Sequence, residues 1–172
     1  MRFRSRVEAG QALGKQMARG AWTDPLVLAL PRGGVPVAEH VALAIGAQLD
    51  VIVSRKIGSP FNPEMGIGAV GPDGNVVLDQ PLISRLKVDA EYIENVSSLQ
   101  LDETRRRLSA YRGARPSPKV SGRAVIVVDD AIAGMGDREM VGVARAATMA
   151  PPKHACLKTG RRLALGLPEI SR

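Results

Sequence analysis

Two adjacent carboxylates, Asp129 and Asp130, directly follow an apolar run at residues 125–128. A continuous run of β-branched side chains is typical of a strand buried on both faces, as in a parallel sheet. The two acids then lie at the carboxyl end of that strand, which is where open α/β folds bind ligands. Carboxylates in this place can accept hydrogen bonds from the hydroxyl groups of a sugar.

The residues after the two acids are mostly small and include two glycines, so the backbone can approach a ligand closely. They are Ala131, Ile132, Ala133, Gly134, Met135 and Gly136. Amides of such a loop can donate to phosphate oxygens. The pattern predicts a site that binds a sugar and a phosphate together. The alternative interpretation is that Asp129 and Asp130 only form a turn at the end of the strand.

A second cluster with the same organisation lies upstream, where an apolar run at residues 26–30 precedes Arg32, Gly33 and Gly34. The glycines free the backbone, and the arginine offers a fixed fork of donors that suits phosphate. Apolar side chains then recur at helical spacing from residue 36 until Gly46, which predicts a helix after the loop. The Gly loop is therefore a second candidate for phosphate binding.

A third strand is predicted at residues 49–54, and it leads into Arg55 and Lys56. We expect the three strands to present a basic Gly loop, a basic pair and an acidic pair. If the strands lie in one parallel sheet, all three clusters meet along one edge. Their combined chemistry suits a magnesium-bound sugar pyrophosphate.

At this point the chain resembles the type I phosphoribosyltransferases, in particular a bacterial subgroup with an Arg-Phe-Arg start and a Leu-Pro-Arg-Gly-Gly loop. Five segments carry the resemblance: residues 1–4, 30–35, 55–58, 62–64 and 127–130. The match covers roughly residues 1–133. We expect one phosphoribosyltransferase-like domain over residues 1–172, well matched over 1–133 and divergent over 134–172.

The resemblance implies an α/β fold with an open parallel sheet flanked by helices, a lid hairpin and an incomplete hood. It also implies Mg²⁺-dependent transfer of a phosphoribosyl group from 5-phosphoribosyl-1-pyrophosphate (PRPP) to a nitrogen base or related acceptor. In an active enzyme, Arg32, Arg55 and Lys56 would stabilise the departing pyrophosphate. Asp129 and Asp130 would hold the ribose directly, or hold the metal through ribose or water.

One departure from the family pattern lies in the loop after the acids, where relatives usually have Ala-Thr-Gly-small-Ser/Thr. Here Gly134, Met135 and Gly136 precede Asp137, so the hydroxyls are absent and a negative charge lies where the 5′-phosphate is expected. The residues after about Ala133 are expected to be a divergent loop or the product of a reading-frame shift. One alternative function is therefore a catalytically impaired relative that binds PRPP or nucleotide as a regulator.

The amino-acid composition narrows the possible functional classes further. The net charge of +7 and the pI near 10.2 suit an anionic ligand, and they also leave a basic nucleic-acid-binding protein as a second alternative. An aromatic content of 3% counts against base-stacking on single strands. No apolar stretch approaches the roughly 20 residues of a membrane span, so a cytoplasmic protein is expected. An uncovered sheet edge would suit a second copy of the chain in a homodimer.

Residues 59–64 have the composition of a loop, and residues 69–78 indicate a hairpin that turns at a Pro-Asp-Gly-Asn sequence. This segment takes the place of the mobile lid that family members close over PRPP, and an ordinary surface hairpin fits the same residues equally well. Ser5 and Glu8 match a capping box for a helix that Gly20 would close. Asp89 is the predicted cap of a long helix that continues through Arg112.

Overall fold

The structure is a computed structural model, and it describes residues 3–130. The described chain divides into two compact units, the first containing residues 3–52 and 117–130 and the second residues 53–116. The elements in chain order are α1 (Arg6–Met17), β1 (Pro25–Ala29), α2 (Gly34–Ile45), β2 (Gln48–Val51), β3 (Arg55–Gly58), β4 (Gly66–Val70), β5 (Val76–Leu78), α3 (Gln80–Leu86), α4 (Ala90–Arg112) and β6 (Ala124–Val128).

The first unit is built on a parallel sheet in the order β2-β1-β6, with β1 in the centre. Leu26 is opposite Gln48 on one side and Val125 on the other. Both β1 and β6 are buried along most of their length, which agrees with their continuous apolar sequences. The predicted α/β fold with a parallel sheet and flanking helices is confirmed.

One face of this sheet packs against α1 and α2. Because side chains alternate along a strand, every second residue of β1 and β6 points toward the two helices. The resulting buried cluster consists of Leu13, Met17, Val27, Ala29, Val37, Ala38, Val41, Ala42, Ile126 and Val128. Trp22 packs against it, and its indole N–H donates to the carbonyl of Met17 at 2.7 Å. The helices are thereby held against the strands whose ends carry the candidate site.

The helix boundaries in this unit agree with the sequence signals, with two differences. Ser5 caps α1 by accepting from the Glu8 amide at 3.1 Å, but Glu8 in return accepts from the Arg4 amide and not from Ser5. The helix ends at Met17, before the predicted stop at Gly20, whose amide still donates to the Met17 carbonyl. The end of α2 at Gly46, which has a φ of 64°, is as predicted.

At the amino end of the sheet, Arg123 ties all three strands together. Its Nε lies 2.9 Å from a carboxylate oxygen of Asp24, just before β1, and its Nη2 donates to the Pro25 carbonyl at 3.2 Å. Its Nη1 donates to the side chain of Gln48, the first residue of β2, at 2.6 Å. The Arg123 side chain is only 12% exposed. The donors of Arg123 are thus engaged in contacts inside the first unit.

The second unit is an antiparallel sheet in the order β3-β4-β5 with α3 and α4. Its core contains Ile57, Ile67, Val70, Leu82 and Ile83. The predicted hairpin is confirmed as β4 and β5, although β4 begins earlier, at Gly66. The long helix predicted from the Asp89 cap through Arg112 is confirmed as α4. Among the helices of residues 3–130, none is both long and apolar enough to cross a membrane.

Candidate functional site

The carboxyl ends of β1 and β6 bring two of the predicted clusters side by side. The strands are neighbours, and the hydrogen bond from the Leu30 amide to the Val128 carbonyl, at 2.9 Å, continues their pairing past the end of β1. The loop with Arg32, Gly33 and Gly34 therefore starts next to the point where Asp129 and Asp130 leave β6. The sequence-based expectation that these two clusters share one edge of a parallel sheet agrees with this placement.

The Arg32 side chain is exposed, and no group within residues 3–130 forms a hydrogen bond or ion pair with its guanidinium. The peptide bond between Pro31 and Arg32 is cis. Within the same described residues, the amides of Arg32 and Gly33 donate to no acceptor, whereas the Gly34 amide donates to the Leu30 carbonyl at 3.0 Å. The loop thus holds a charged fork and two amides that are open to a ligand.

The helix that follows this loop adds to the positive potential. Gly33 is the N-cap of α2 and has no side chain that could accept from the helix amides. There is no acidic residue in the first turn of α2 to compensate the positive end of its dipole. A negatively charged group at this loop would therefore be stabilised by the helix as well as by Arg32.

Both glycines of the loop are required by close approach to β6. A Cβ atom on Gly34 would lie 2.7 Å from the Val128 carbonyl oxygen and 3.0 Å from the Cα of Asp129. A Cβ atom on Gly33 would overlap the carboxylate of Asp130. A side chain at Gly34 would push the loop away from the end of β6, and one at Gly33 would displace the Asp130 carboxylate, so the glycines allow the loop and the acidic pair to touch.

The two carboxylates are held in different ways. One oxygen of Asp129, Oδ1, accepts from the Asp130 amide at 2.7 Å, which turns the chain sharply after the strand. The Asp130 carboxylate lies over Gly33, and its Oδ2 accepts from Nε of Arg6 at 2.6 Å. The Asp130 side chain is 20% exposed, against 60% for Arg6. The acidic pair is thus partly neutralised by a residue of α1.

Arg6 was not among the sequence-predicted site residues. It occupies the first position of α1 after the Ser5 cap, where the positive end of the helix dipole disfavours a cation. An arginine in this position is a signal that could have been noticed in the sequence, since such a charge needs a partner. That the partner is Asp130, 124 residues away along the chain, is decided only by the fold.

The expected placement of Arg55 and Lys56 is wrong in one respect. They do not end a strand of the parallel sheet, because β2 stops at Val51 and the two residues open β3 of the antiparallel sheet. Successive side chains of a strand point to opposite faces. Arg55 donates from Nε to the Gln100 side chain at 2.8 Å, while the Lys56 ammonium donates to the Glu64 carbonyl at 3.0 Å. Their contact with pyrophosphate stays a prediction.

The predicted loop of Ala131, Ile132, Ala133, Gly134, Met135 and Gly136 lies outside the described residues. Asp137, the hood and the divergent or frame-shifted segment lie outside them as well. The site described here is therefore the part formed by α1, the loop between β1 and α2, and the two acids after β6.

The residues present fit a magnesium ion that arrives with its substrate. Within residues 3–130 there is no group of three or more His, Cys, Asp or Glu side chains that could hold a metal by themselves. Mg²⁺ prefers oxygen ligands and is commonly bound by one or two carboxylates together with water and substrate phosphates. Asp129 and Asp130 supply hard oxygen donors of this kind beside a loop suited to phosphate.

A family model described as a phosphoribosyl transferase domain matches residues 6–134. Two curated relatives from Mycobacterium tuberculosis, strains CDC 1551 / Oshkosh and ATCC 25618 / H37Rv, are each named provisionally as a phosphoribosyl transferase. Both are 41% identical to the chain over 145 residues, which is 84% of this chain. The chain spans about a third of the length of these relatives.

A solved structure, that of TT1426 from Thermus thermophilus, is similar with a TM-score of 0.76 and 39% sequence identity. The similarity covers 92% of this chain and 74% of the Thermus chain.

Proposed function

The chain belongs to the phosphoribosyl transferase domain family, and on that basis we propose that it transfers a phosphoribosyl group from PRPP to a nitrogen base or related acceptor, with Mg²⁺. The observation that carries the proposal is the state of Arg32. The Arg32 side chain is exposed, and the backbone of its loop lies against the Asp130 carboxylate at Gly33, so donors for phosphate and acceptors for sugar hydroxyls occur at one edge of the sheet.

The Gly loop would act on the leaving group. When the bond between the ribose carbon and pyrophosphate breaks, negative charge grows on the pyrophosphate oxygens and positive charge grows on the sugar. The end of β1 and the start of α2 fix the amides of the loop, and the exposed Arg32 side chain would order on the ligand, so that together they would stabilise that charge. Bound Mg²⁺, held by Asp129 or Asp130, would supply additional positive charge at the departing pyrophosphate.

The acidic pair would orient the sugar. Asp129 and Asp130 can accept hydrogen bonds from the ribose hydroxyls, and this fixes the ring for attack by the acceptor. Asp130 is suited to this work because Arg6 and Gly33 define its position. We assign no histidine or further carboxylate of residues 3–130 as a general base, so the acceptor nitrogen is proposed to bring its own acidity.

Substitution of both acids tests the proposal. We expect Asp129→Asn/Asp130→Asn to weaken PRPP·Mg²⁺ binding at least tenfold, or about 1.4 kcal/mol, in calorimetry. Asparagine keeps an oxygen that can accept from Arg6 and from the amide of residue 130, so the fold is retained while the charge is lost. The measurement is a titration of PRPP in the presence of Mg²⁺, with circular dichroism to verify the fold.

Glu94→Gln/Asp102→Asn is the matched control, because it removes the same charge from two exposed positions of α4. It should leave the affinity within about twofold, since exposed charges outside the site are screened by salt. Unchanged affinity in the Asp129/Asp130 variant, with the fold intact, would return these residues to the role of turn formers and would sink the proposal.

A second candidate function is supported by the sequence after the acids, where Asp137 stands at a position that relatives use for a hydroxyl beside the 5′-phosphate. We propose as this alternative that the chain binds PRPP or a nucleotide and regulates another process without transferring the sugar. Binding of PRPP·Mg²⁺ without release of pyrophosphate across a panel of purine, pyrimidine and other nitrogen bases would favour it. Pyrophosphate release with any one acceptor would exclude it.

A further inference from the structure

We infer that Arg6 is a positioning residue that sets the charge of the acidic pair, and that it keeps the pair from capturing a divalent cation before the phosphorylated substrate arrives. The inference deepens the proposed function, on which its biological meaning rests. Arg6 contacts Asp130 of the acidic pair, whereas its neighbour Arg4 contacts Glu8.

The contact between Arg6 and Asp130 joins the first helix to the end of the last described strand. Nε of Arg6 lies 2.6 Å from Oδ2 of Asp130, within the range of a strong charge-assisted hydrogen bond. The Asp130 carboxylate is pressed against Gly33 on another side, so it has little freedom to turn away. The Arg6 guanidinium therefore lies beside the acidic pair and makes the local charge of the pair less negative.

A role in helix stability alone does not explain this arginine. Position one of a helix is unfavourable for a cation, since the helix dipole is positive there. Arg4 shows the local alternative: it is 91% exposed and lies 3.5 Å from Glu8 one turn away, as arginines near helix starts commonly do. Arg6 instead reaches a carboxylate at the site. The difference indicates that the charge of Arg6 is used at the site.

The expected consequence follows from Coulomb attraction. Two neighbouring carboxylates attract a divalent cation, and removal of the Arg6 guanidinium makes the net charge at the pair more negative by one, whatever else contacts the two acids. Loss of Arg6 should therefore raise the affinity of the pair for a bare cation, because like charges at close range repel. A merely structural role predicts the opposite sign, since disordered carboxylates bind a cation less well.

The test is a titration of the whole protein with Mn²⁺ alone, followed by electron paramagnetic resonance of the free ion. We expect Arg6→Gln to bind Mn²⁺ at least about tenfold more tightly than the unmodified protein. Arg4→Gln is the matched control, because it removes the same charge from the same end of the chain, and it should change the affinity by less than about twofold. Arg6→Lys retains the charge and should stay within about threefold of the unmodified protein.

A double substitution locates the effect. In an Asp130→Asn background, Arg6→Gln should alter Mn²⁺ affinity by less than about twofold, because the carboxylate on which Arg6 acts is gone. The inference is overturned if Arg6→Gln binds Mn²⁺ equally or more weakly while Trp22 fluorescence shows an intact first unit. Should that variant not fold, a shift of more than about threefold in folded Arg6→Lys would overturn it instead. Failure of the unmodified protein to bind PRPP·Mg²⁺ would sink the proposed function and leave the Mn²⁺ comparison standing.

Discussion

Arg123 and Arg32 lie at opposite ends of the same parallel sheet, and their guanidinium groups are satisfied in opposite ways. At the amino end, Arg123 contacts Asp24, Pro25 and Gln48, and its side chain is 12% exposed. At the carboxyl end, Arg32 is exposed and has no hydrogen-bond or ion-pair partner within residues 3–130. One residue type thus appears in two environments that differ in every respect that matters for binding.

The difference separates an arginine that holds the fold from one that is free to hold a ligand. A guanidinium that already donates to the Pro25 carbonyl and the Gln48 side chain can donate to a ligand only by giving up those bonds. An exposed guanidinium on a glycine loop gives up only its hydration. We therefore expect substitution of Arg123 to lower stability and substitution of Arg32 to weaken ligand binding.

The largest effect is expected for Arg123→Ala. Its loss leaves the Gln48 side chain and the Pro25 carbonyl without their donor, so the free energy of unfolding should fall by about 2 kcal/mol. Urea unfolding followed by the fluorescence of Trp22, the single tryptophan, reports on this unit directly. PRPP affinity measured well below the unfolding transition should change by less than about twofold. A stability change under about 0.5 kcal/mol would show that the amino-end contacts do not stabilise the sheet.

The reciprocal effect is expected for Arg32→Ala. Pyrophosphate affinity should fall about tenfold, or ~1.4 kcal/mol, because a charge-assisted fork is lost. The affinity for ribose 5-phosphate, which lacks the pyrophosphate, should fall by less. The free energy of unfolding should stay within about 0.5 kcal/mol, as is usual for exposed residues.

Arg32→Lys serves as the control, since it keeps the charge and loses the planar fork. We expect its pyrophosphate affinity to lie between those of the unmodified protein and Arg32→Ala. Equal losses of pyrophosphate and ribose 5-phosphate in Arg32→Ala would contradict the assignment of this loop to pyrophosphate. A large loss of stability would erase the contrast with Arg123.

The smallest effect concerns a third arrangement of arginines, on the exposed side of α4. Hydrogen bonds from Arg106 and Arg107 lower the pKa of the Glu103 carboxyl from 4.5 to about 2. Because the folded pKa lies below the unfolded one, this stabilisation is present above pH 4.5 and is lost as the pH falls toward 2. These side chains are well solvated, so the contribution should be small.

Urea titrations followed by far-UV circular dichroism between pH 2 and pH 6 would measure this contribution to stability. Glu103→Gln, which removes the titrating group, is the reference protein. The difference in stability between the two proteins should be constant near neutral pH and should shrink through the acid range. A difference that does not depend on pH would mean that the arginines act on α4 by packing alone. In each of the three arrangements, the pairing of an arginine decides what its substitution changes.

Much of the first unit could be predicted because its signals are local. Continuous apolar runs indicated β1 and β6, and the αL glycine at position 46 marked the end of α2. In the second unit, the cap at Asp89 and the stop after Arg112 are likewise properties of short stretches of chain. The Gly loop and the acids could be placed at one edge because parallel strands share their carboxyl ends.

The parts that could not be predicted depend on pairing between distant segments. Residues 49–54 look like one strand leading into Arg55 and Lys56, but nothing local shows that β2 ends at Val51 and that the basic pair opens a strand in another sheet. The contact of Arg6 with Asp130 is of the same kind, since the two residues are 124 positions apart. Local propensity carries no information about such partners.

The sequence by itself determined the chemistry that is present: a phosphate-suited fork at Arg32, close-approach glycines beside it, and paired carboxylates after a buried strand. These features depend on residue types and on the spacing of apolar side chains, which repeats every two residues in a strand and every 3.6 in a helix. Both can be read from a short stretch of sequence. Only the tertiary structure decided which charges remain available. It used Arg123 at the amino end, attached Arg6 to Asp130, and left Arg32 open, because the satisfaction of a charged group depends on neighbours brought together by folding and not on its own type.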